Sequence, residues 1–158
     1  MRLALDLDGV LGDTRPLWNA WLEDAARRMH SIAELDPGSL SPDRAEAAEQ
    51  LDGWAAAGIG DWRGSLARFA EDHAPVYLRP QAPVSAALRR LAAGGAALGA
   101  FTDAPEELAR VALSHLGAAR RIEALEAGGG AALERLLARL GDDAVVVRTP
   151  AELTELAH

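Results

Sequence analysis

The sequence contains no cysteine and no lysine; all 16 of its basic residues are arginine. Without cysteine there are no disulfides, no thiolate metal ligands and no thiol nucleophile. Without lysine, any chemistry that calls on an ammonium group must use a guanidinium, which is always charged and grips oxyanions through a planar fork. No apolar run approaches the roughly 20 residues of a membrane-spanning helix. The opening Met1-Arg2-Leu3 shows no basic segment, apolar core and cleavage site of a secretory leader, so the cytoplasm is the expected compartment. A net charge of -8 argues against a nucleic-acid partner and against an anionic membrane surface.

What is present is the composition of a folded domain: 158 residues, 49% hydrophobic and 25% charged, enough for one core with an embellishment. Leu3-Ala4-Leu5-Asp6-Leu7 is a short apolar run that stops at Asp8-Gly9, as a buried parallel strand ends in a loop. Over residues 18–29 the apolar positions Trp18, Trp21, Leu22, Ala25 and Met29 recur at helical spacing. Asp36-Pro37-Gly38-Ser39 and Ser41-Pro42-Asp43 then break the chain, with Ser41 the expected N-cap and Pro42 the expected first residue of a second helix. Gly58-Ile59-Gly60 marks another break, and residues 61–73 read as a third helix. Residues 15–77 are therefore expected to be all-helical. Trp18, Trp21, Trp54 and Trp62 all fall within them, where apolar packing is their expected role.

After Pro80 the rhythm changes. A helix over 84–93, a strand over 97–102 and a helix over 105–116 are followed by a short apolar segment at 122–125 and a helix over 131–140. A β-branched strand at 144–147 and a helix over 150–157 complete the pattern. This alternation predicts an α/β fold, a Rossmann-like three-layer sandwich around a parallel sheet. Ligand sites in such sheets lie beyond the carboxyl ends of the strands, which selects residues 6–14, 102–104 and 147–152. His30, His73, His115 and His158 are scattered without ligand spacing and are expected at the surface or in helix packing.

The first of these loops carries chemistry. Asp6-Leu7-Asp8-Gly9 sets two carboxylates two residues apart where the strand unwinds, followed by a glycine that permits a sharp turn. One carboxylate can attack phosphorus, forming an acyl phosphate, while the other protonates the leaving group and then activates water. Asp6 is the candidate nucleophile and Asp8 the candidate acid/base. A bare Asp-x-Asp triplet serves equally well as a turn cap.

The longer string resembles the first motif of the haloacid dehalogenase-like superfamily, an apolar strand followed by Asp-x-Asp-Gly-Val/Thr-Leu-x-Asp-Ser/Thr. Asp6, Asp8, Gly9, Val10, Leu11, Asp13 and Thr14 all fit it. The resemblance covers almost the whole chain, because members often insert a small helical cap after this loop. It implies a core of residues 1–14 and 78–158 with residues 15–77 as the cap. It also implies a phosphate-binding strand end at Thr102-Asp103, with Gly9 beside the phosphate, and Mg²⁺ held by Asp6 and Asp8.

Two further motifs depart from the family's pattern. The third is normally a lysine, and the matching region here is Glu126-Ala127-Gly128-Gly129-Gly130; Arg120 and Arg121 precede it and read as solvated. The fourth is usually Gly-Asp-Ser/Thr-x-x-Asp, whose carboxylates complete the Mg²⁺ site. Here Val147-Arg148-Thr149-Pro150-Ala151-Glu152 puts Arg148 in place of the first Asp and Glu152 in place of the second. Mg²⁺ binding is therefore expected to be weak or absent, and Arg148 is expected to pair with Asp6 or Asp8.

Three functions follow from the resemblance. The first is a phosphatase-type domain impaired in catalysis that binds a small phosphorylated or anionic ligand, or a protein partner. The second is a Mg²⁺-dependent phosphomonoester hydrolase acting through an Asp6 phosphoaspartyl intermediate, with Asp6, the Asp8 carbonyl and Glu152 holding the metal. The third, metal-free displacement at carbon, is opposed by Asp8, which such dehalogenases typically lack.

Overall fold

The computed structural model describes residues 1–33 and 36–158; for Ala26, residues 29–33 and Pro37 it describes the backbone alone, so the expectations for the Met29 and His30 side chains lie outside the described residues. The elements run β1 (Arg2–Asp6), α1 (Arg15–Ala33), α2 (Arg44–Trp54), α3 (Trp62–Tyr77), α4 (Ala82–Ala93), β2 (Ala97–Thr102), α5 (Glu106–His115), β3 (Ala124–Ala127), α6 (Ala132–Leu140), β4 (Val145–Val147) and α7 (Pro150–Leu156). All strand pairings are parallel and the order across the sheet is β3-β2-β1-β4. This is the expected α/β, Rossmann-like three-layer architecture, and among the described residues no helix is long and apolar enough to cross a membrane.

The strand order positions the site. β1 lies between β2 and β4, with Leu5 opposite both Ala100 and Val147 and Asp6 opposite Phe101. The loop that leaves β1 is therefore flanked by the end of β2, at Thr102, and the end of β4, at Arg148. β1 is buried on both faces, as an interior parallel strand must be. Leu3 and Leu5 face a large cluster that includes residues of α4, α5 and α7, while Ala4 faces a smaller one built on α6. Gly99 is what lets α6 lie against the sheet: a Cβ there would come within 2.7 Å of Leu136 Cδ1.

The helical segment between β1 and α4 shares the larger cluster rather than forming a core of its own. Leu17, Trp18, Trp21, Leu51, Trp62 and Leu66 are buried in it together with Leu3, Leu5 and Val10. Three indoles pack together, with Trp21 centred 5.4 Å from Trp18 and 5.9 Å from Trp62, and Trp54 packs against the cluster partly buried. Among the other histidines, His73 stacks on Phe69 and His115 Nε2 lies 3.0 Å from the Leu78 carbonyl.

The third helix runs on to Tyr77, past the expected 61–73, and α4 starts at Ala82 rather than 84. Three further differences have a local cause. Leu7 leaves the first strand and enters a wide turn. The second helix starts two residues later than Ser41 and Pro42 imply, because the Asp43 side chain takes the cap, accepting from Ala45 N–H at 2.8 Å. Ser41 is tied up elsewhere, accepting from Asp43 N–H and donating to Glu46. The third strand forms at Ala124–Ala127 rather than 122–125, since its ladder begins at Ala124, opposite Gly99, and Ile122 instead closes a turn onto the Ala118 carbonyl.

Candidate functional site

Beyond β1 the chain makes a single π-type turn over Leu7–Leu11, closed by Gly12 N–H on the Leu7 carbonyl at 3.0 Å. Leu7, Val10 and Leu11 point into the core, which leaves Asp6 and Asp8 toward the sheet's carboxyl edge. Gly9 has no room for a side chain, because a Cβ would collide with the carbonyl oxygen of Arg148. This close approach brings the end of β4 against the carboxylate loop.

Asp6 lines a cleft of about 390 Å³ together with Phe101, Thr102, Asp103, Gly129 and Arg148. Its side chain is about a quarter exposed, at 26%, and accepts from Gly9 N–H at 3.3 Å. Arg148 Nη1 stands 3.8 Å from Asp6 Oδ2, an ion pair longer than a direct hydrogen bond. The same guanidinium lies over the Phe101 ring, 5.5 Å from its centre. Burial pushes the Asp6 carboxyl above its ordinary range and the nearby Asp8 charge adds to this, against the opposing pull of the Gly9 N–H and Arg148.

Asp8 is engaged on both oxygens. Oδ1 accepts from Thr14 N–H at 2.9 Å and from the Thr14 hydroxyl; Oδ2 accepts from the Thr102 hydroxyl at 2.7 Å and from Arg44 Nη2 at 3.0 Å. Thr102 Oγ in turn accepts from Ala104 N–H at 3.1 Å, so this hydroxyl both shapes its own turn and holds Asp8. Arg44, only 5% exposed at its side chain, also donates from Nη1 to Thr14 Oγ at 2.7 Å and from Nε and Nη2 to Asp103 Oδ1. It reaches the core from the first turn of α2.

Arg44 is the site residue that sequence reasoning missed. One signal was available: it occupies the first helical position after the Asp43 cap, where the helix dipole disfavours a cation. A positive charge placed there is held by something other than its own helix.

The remaining expected residues fall around this network. Glu152 Oε2 accepts from Arg148 N–H at 2.8 Å while its own N–H donates to Thr149 Oγ, so it finishes the start of α7. In the Glu126–Gly130 loop, Arg135 donates to Glu126 at 3.0 Å and to the Gly128 carbonyl, fixing the loop. Its hydrogen bond holds the Glu126 carboxyl below the usual range. Arg120 and Arg121 precede β3, at the opposite end of the sheet from the cleft. The structure thus brings together Asp6, Asp8, Gly9, Thr102, Asp103 and Arg148, with Glu152 one backbone group away.

This donor set does not suit Mg²⁺. The ion takes oxygens in octahedral array at about 2.1 Å, whereas a guanidinium stands 3.8 Å from Asp6 Oδ2 and Glu152 Oε2 already accepts from the Arg148 backbone amide. Among the described residues no group of three or more His, Asp or Glu could hold a metal. No protein-family model matches the sequence, and no curated protein matches it either.

Proposed function

We propose that the chain is a haloacid dehalogenase-like domain of phosphatase type that binds a phosphorylated or other small anionic ligand beside Asp6 and turns it over poorly or not at all. The observation that carries this reading is the Arg148 guanidinium 3.8 Å from Asp6 Oδ2, at the chain position where a metal-binding carboxylate is expected from the resemblance. A phosphate dianion approaching Asp6 meets like charge worth about 4 kcal/mol per unit pair at 4 Å and an effective dielectric of 20. Arg148 offsets that repulsion for binding. It does not supply the octahedral bonds through which a metal aims a phosphoryl group at its attacker.

Asp8 supports the same reading. To carry the proton on Oδ2 it would have to give up the donors from Arg44 and Thr102, and on Oδ1 those from Thr14, a rearrangement that opposes efficient turnover. A second reading, an active Mg²⁺-dependent phosphomonoester hydrolase, is favoured by Asp6 itself, which faces the cleft with only backbone N–H donors on its carboxylate among the described residues. Hydrolysis of an aryl phosphate with and without Mg²⁺, by the protein and by Asp6→Asn, separates the two. The impaired site predicts no Mg²⁺-dependent rate above the Asp6→Asn background, whereas Mg²⁺-dependent turnover abolished by Asp6→Asn would establish the hydrolase.

A further inference from the structure

We propose that Arg44 is a second oxyanion subsite and that Asp103 is the stand-in that fills it in the resting protein; this deepens the reading of an anion-binding cleft and rests on it. The Nε and Nη2 edge of a guanidinium is a fork that matches the two oxygens of a carboxylate or phosphate. In Arg44 this edge holds a single oxygen, Asp103 Oδ1, at 3.1 Å from Nε and 2.6 Å from Nη2. Asp103 Oδ2 has no protein donor among the described residues. The fork is therefore occupied but not matched.

The two carboxylates on Arg44 are not equivalent. The Asp8 side chain is 12% exposed and held by Thr14 and Thr102 as well, whereas that of Asp103 is 52% exposed and lines the cleft. Asp103 can turn into water at little cost, since a half-exposed ion pair is worth little. Asp8 cannot. An oxyanion entering the cleft would replace Asp103 on the fork with two matched oxygens and leave the Asp8, Thr14 and Arg44 arrangement intact. Asp8 stays paired with the buried Arg44 throughout. Asp103 fills the remaining edge of the guanidinium when no ligand is bound, and so competes with every ligand that is.

Calorimetric titration with orthophosphate in metal-free buffer, on the full chain, tests this. Asp103→Ala and Asp103→Asn are expected to bind phosphate about tenfold more tightly than the parent, as befits one charge-assisted contact released from competition. Adding Arg44→Lys to Asp103→Ala is expected to remove the gain, because an ammonium has no fork. If both Asp103 variants unfold cooperatively like the parent yet bind phosphate no more tightly, the subsite is wrong. Should binding be lost in Arg148→Ala while remaining insensitive to Asp103, the subsite fails and the Asp6 cleft stands. A gain at Asp103 that persists in Arg148→Ala supports the subsite and removes Arg148 from the ligand's contacts. No phosphate binding by any of these proteins overturns both.

Discussion

Replacing Arg44 by Met isolates the contribution of the buried cation. The substitution keeps the apolar stem that fills the space between α2 and the carboxylate loop but removes every donor. Among the described residues Asp8 then loses its ion pair and one of four hydrogen bonds, while Thr14 N–H, the Thr14 hydroxyl and the Thr102 hydroxyl remain. Asp103, half exposed, returns to water. Breaking a buried ion pair from one side typically costs about 3 to 5 kcal/mol, and the three surviving donors put this case at the lower end, about 3 kcal/mol. For a chain of this length each kcal/mol lowers Tm by about 2 to 4 °C, so Arg44→Met should melt about 6 to 12 °C below the parent. Differential scanning calorimetry reads this directly. Arg148→Met is the control: its side chain is 56% exposed, and its loss should change stability by less than about 1 kcal/mol. Adding Asp8→Asn to Arg44→Met should recover part of the loss, because the uncompensated charge is gone. An Arg44→Met protein that melts within about 2 °C of the parent would refute the reasoning.

Burial lifts the Asp6 carboxyl above its ordinary range, so between the unfolded and folded values the native state binds more protons and stability falls as pH rises. Asp6→Asn should therefore be more stable than the parent at about pH 7, with the difference shrinking as pH falls through the raised folded value and gone once the unfolded carboxyl is protonated too, as followed by urea denaturation at several pH values. Gly9→Ala forces its new methyl into the Arg148 carbonyl and should cost about 1 to 3 kcal/mol by denaturant unfolding. Gly99→Val drives a larger side chain into Leu136 and Leu140 and should destabilise by about 2 kcal/mol or more, with α6 amides losing most protection in hydrogen exchange.

Much of the fold was legible because its signals are local. The strand at 97–102 is bounded by Gly94-Gly95 and by the turn after Thr102, and it forms with those limits. The apolar segment at 122–125 overlaps the third strand without matching it, because Ile122 is strand-like in its side chain while the ladder is decided by register with β2. The start of α2 turned on whether Ser41 or Asp43 capped it, a competition settled by Glu46 and Gln50 on the next turns.

The site was legible only in part for the same reason. Asp6, Asp8 and Gly9 sit in one short string, and Thr102 and Arg148 end the two strands beside it, so topology brings them together. Arg44 belongs to a polar stretch, Asp43-Arg44-Ala45-Glu46, that reads as a solvated helix start. Its partners Asp8 and Asp103 lie 36 and 59 residues away in sequence. Nothing in its own periodicity marks it as buried.

In the proposed reading, Arg148 stands where the resemblance expects a metal-binding carboxylate. Titrating Mg²⁺ into the parent and into Arg148→Asp by isothermal calorimetry tests it most directly, because the substitution restores a carboxylate opposite Asp6 and removes the competing cation. The account predicts no Mg²⁺ binding by the parent and measurable binding by Arg148→Asp. Tight Mg²⁺ binding by the parent, no weaker than by Arg148→Asp, would contradict it.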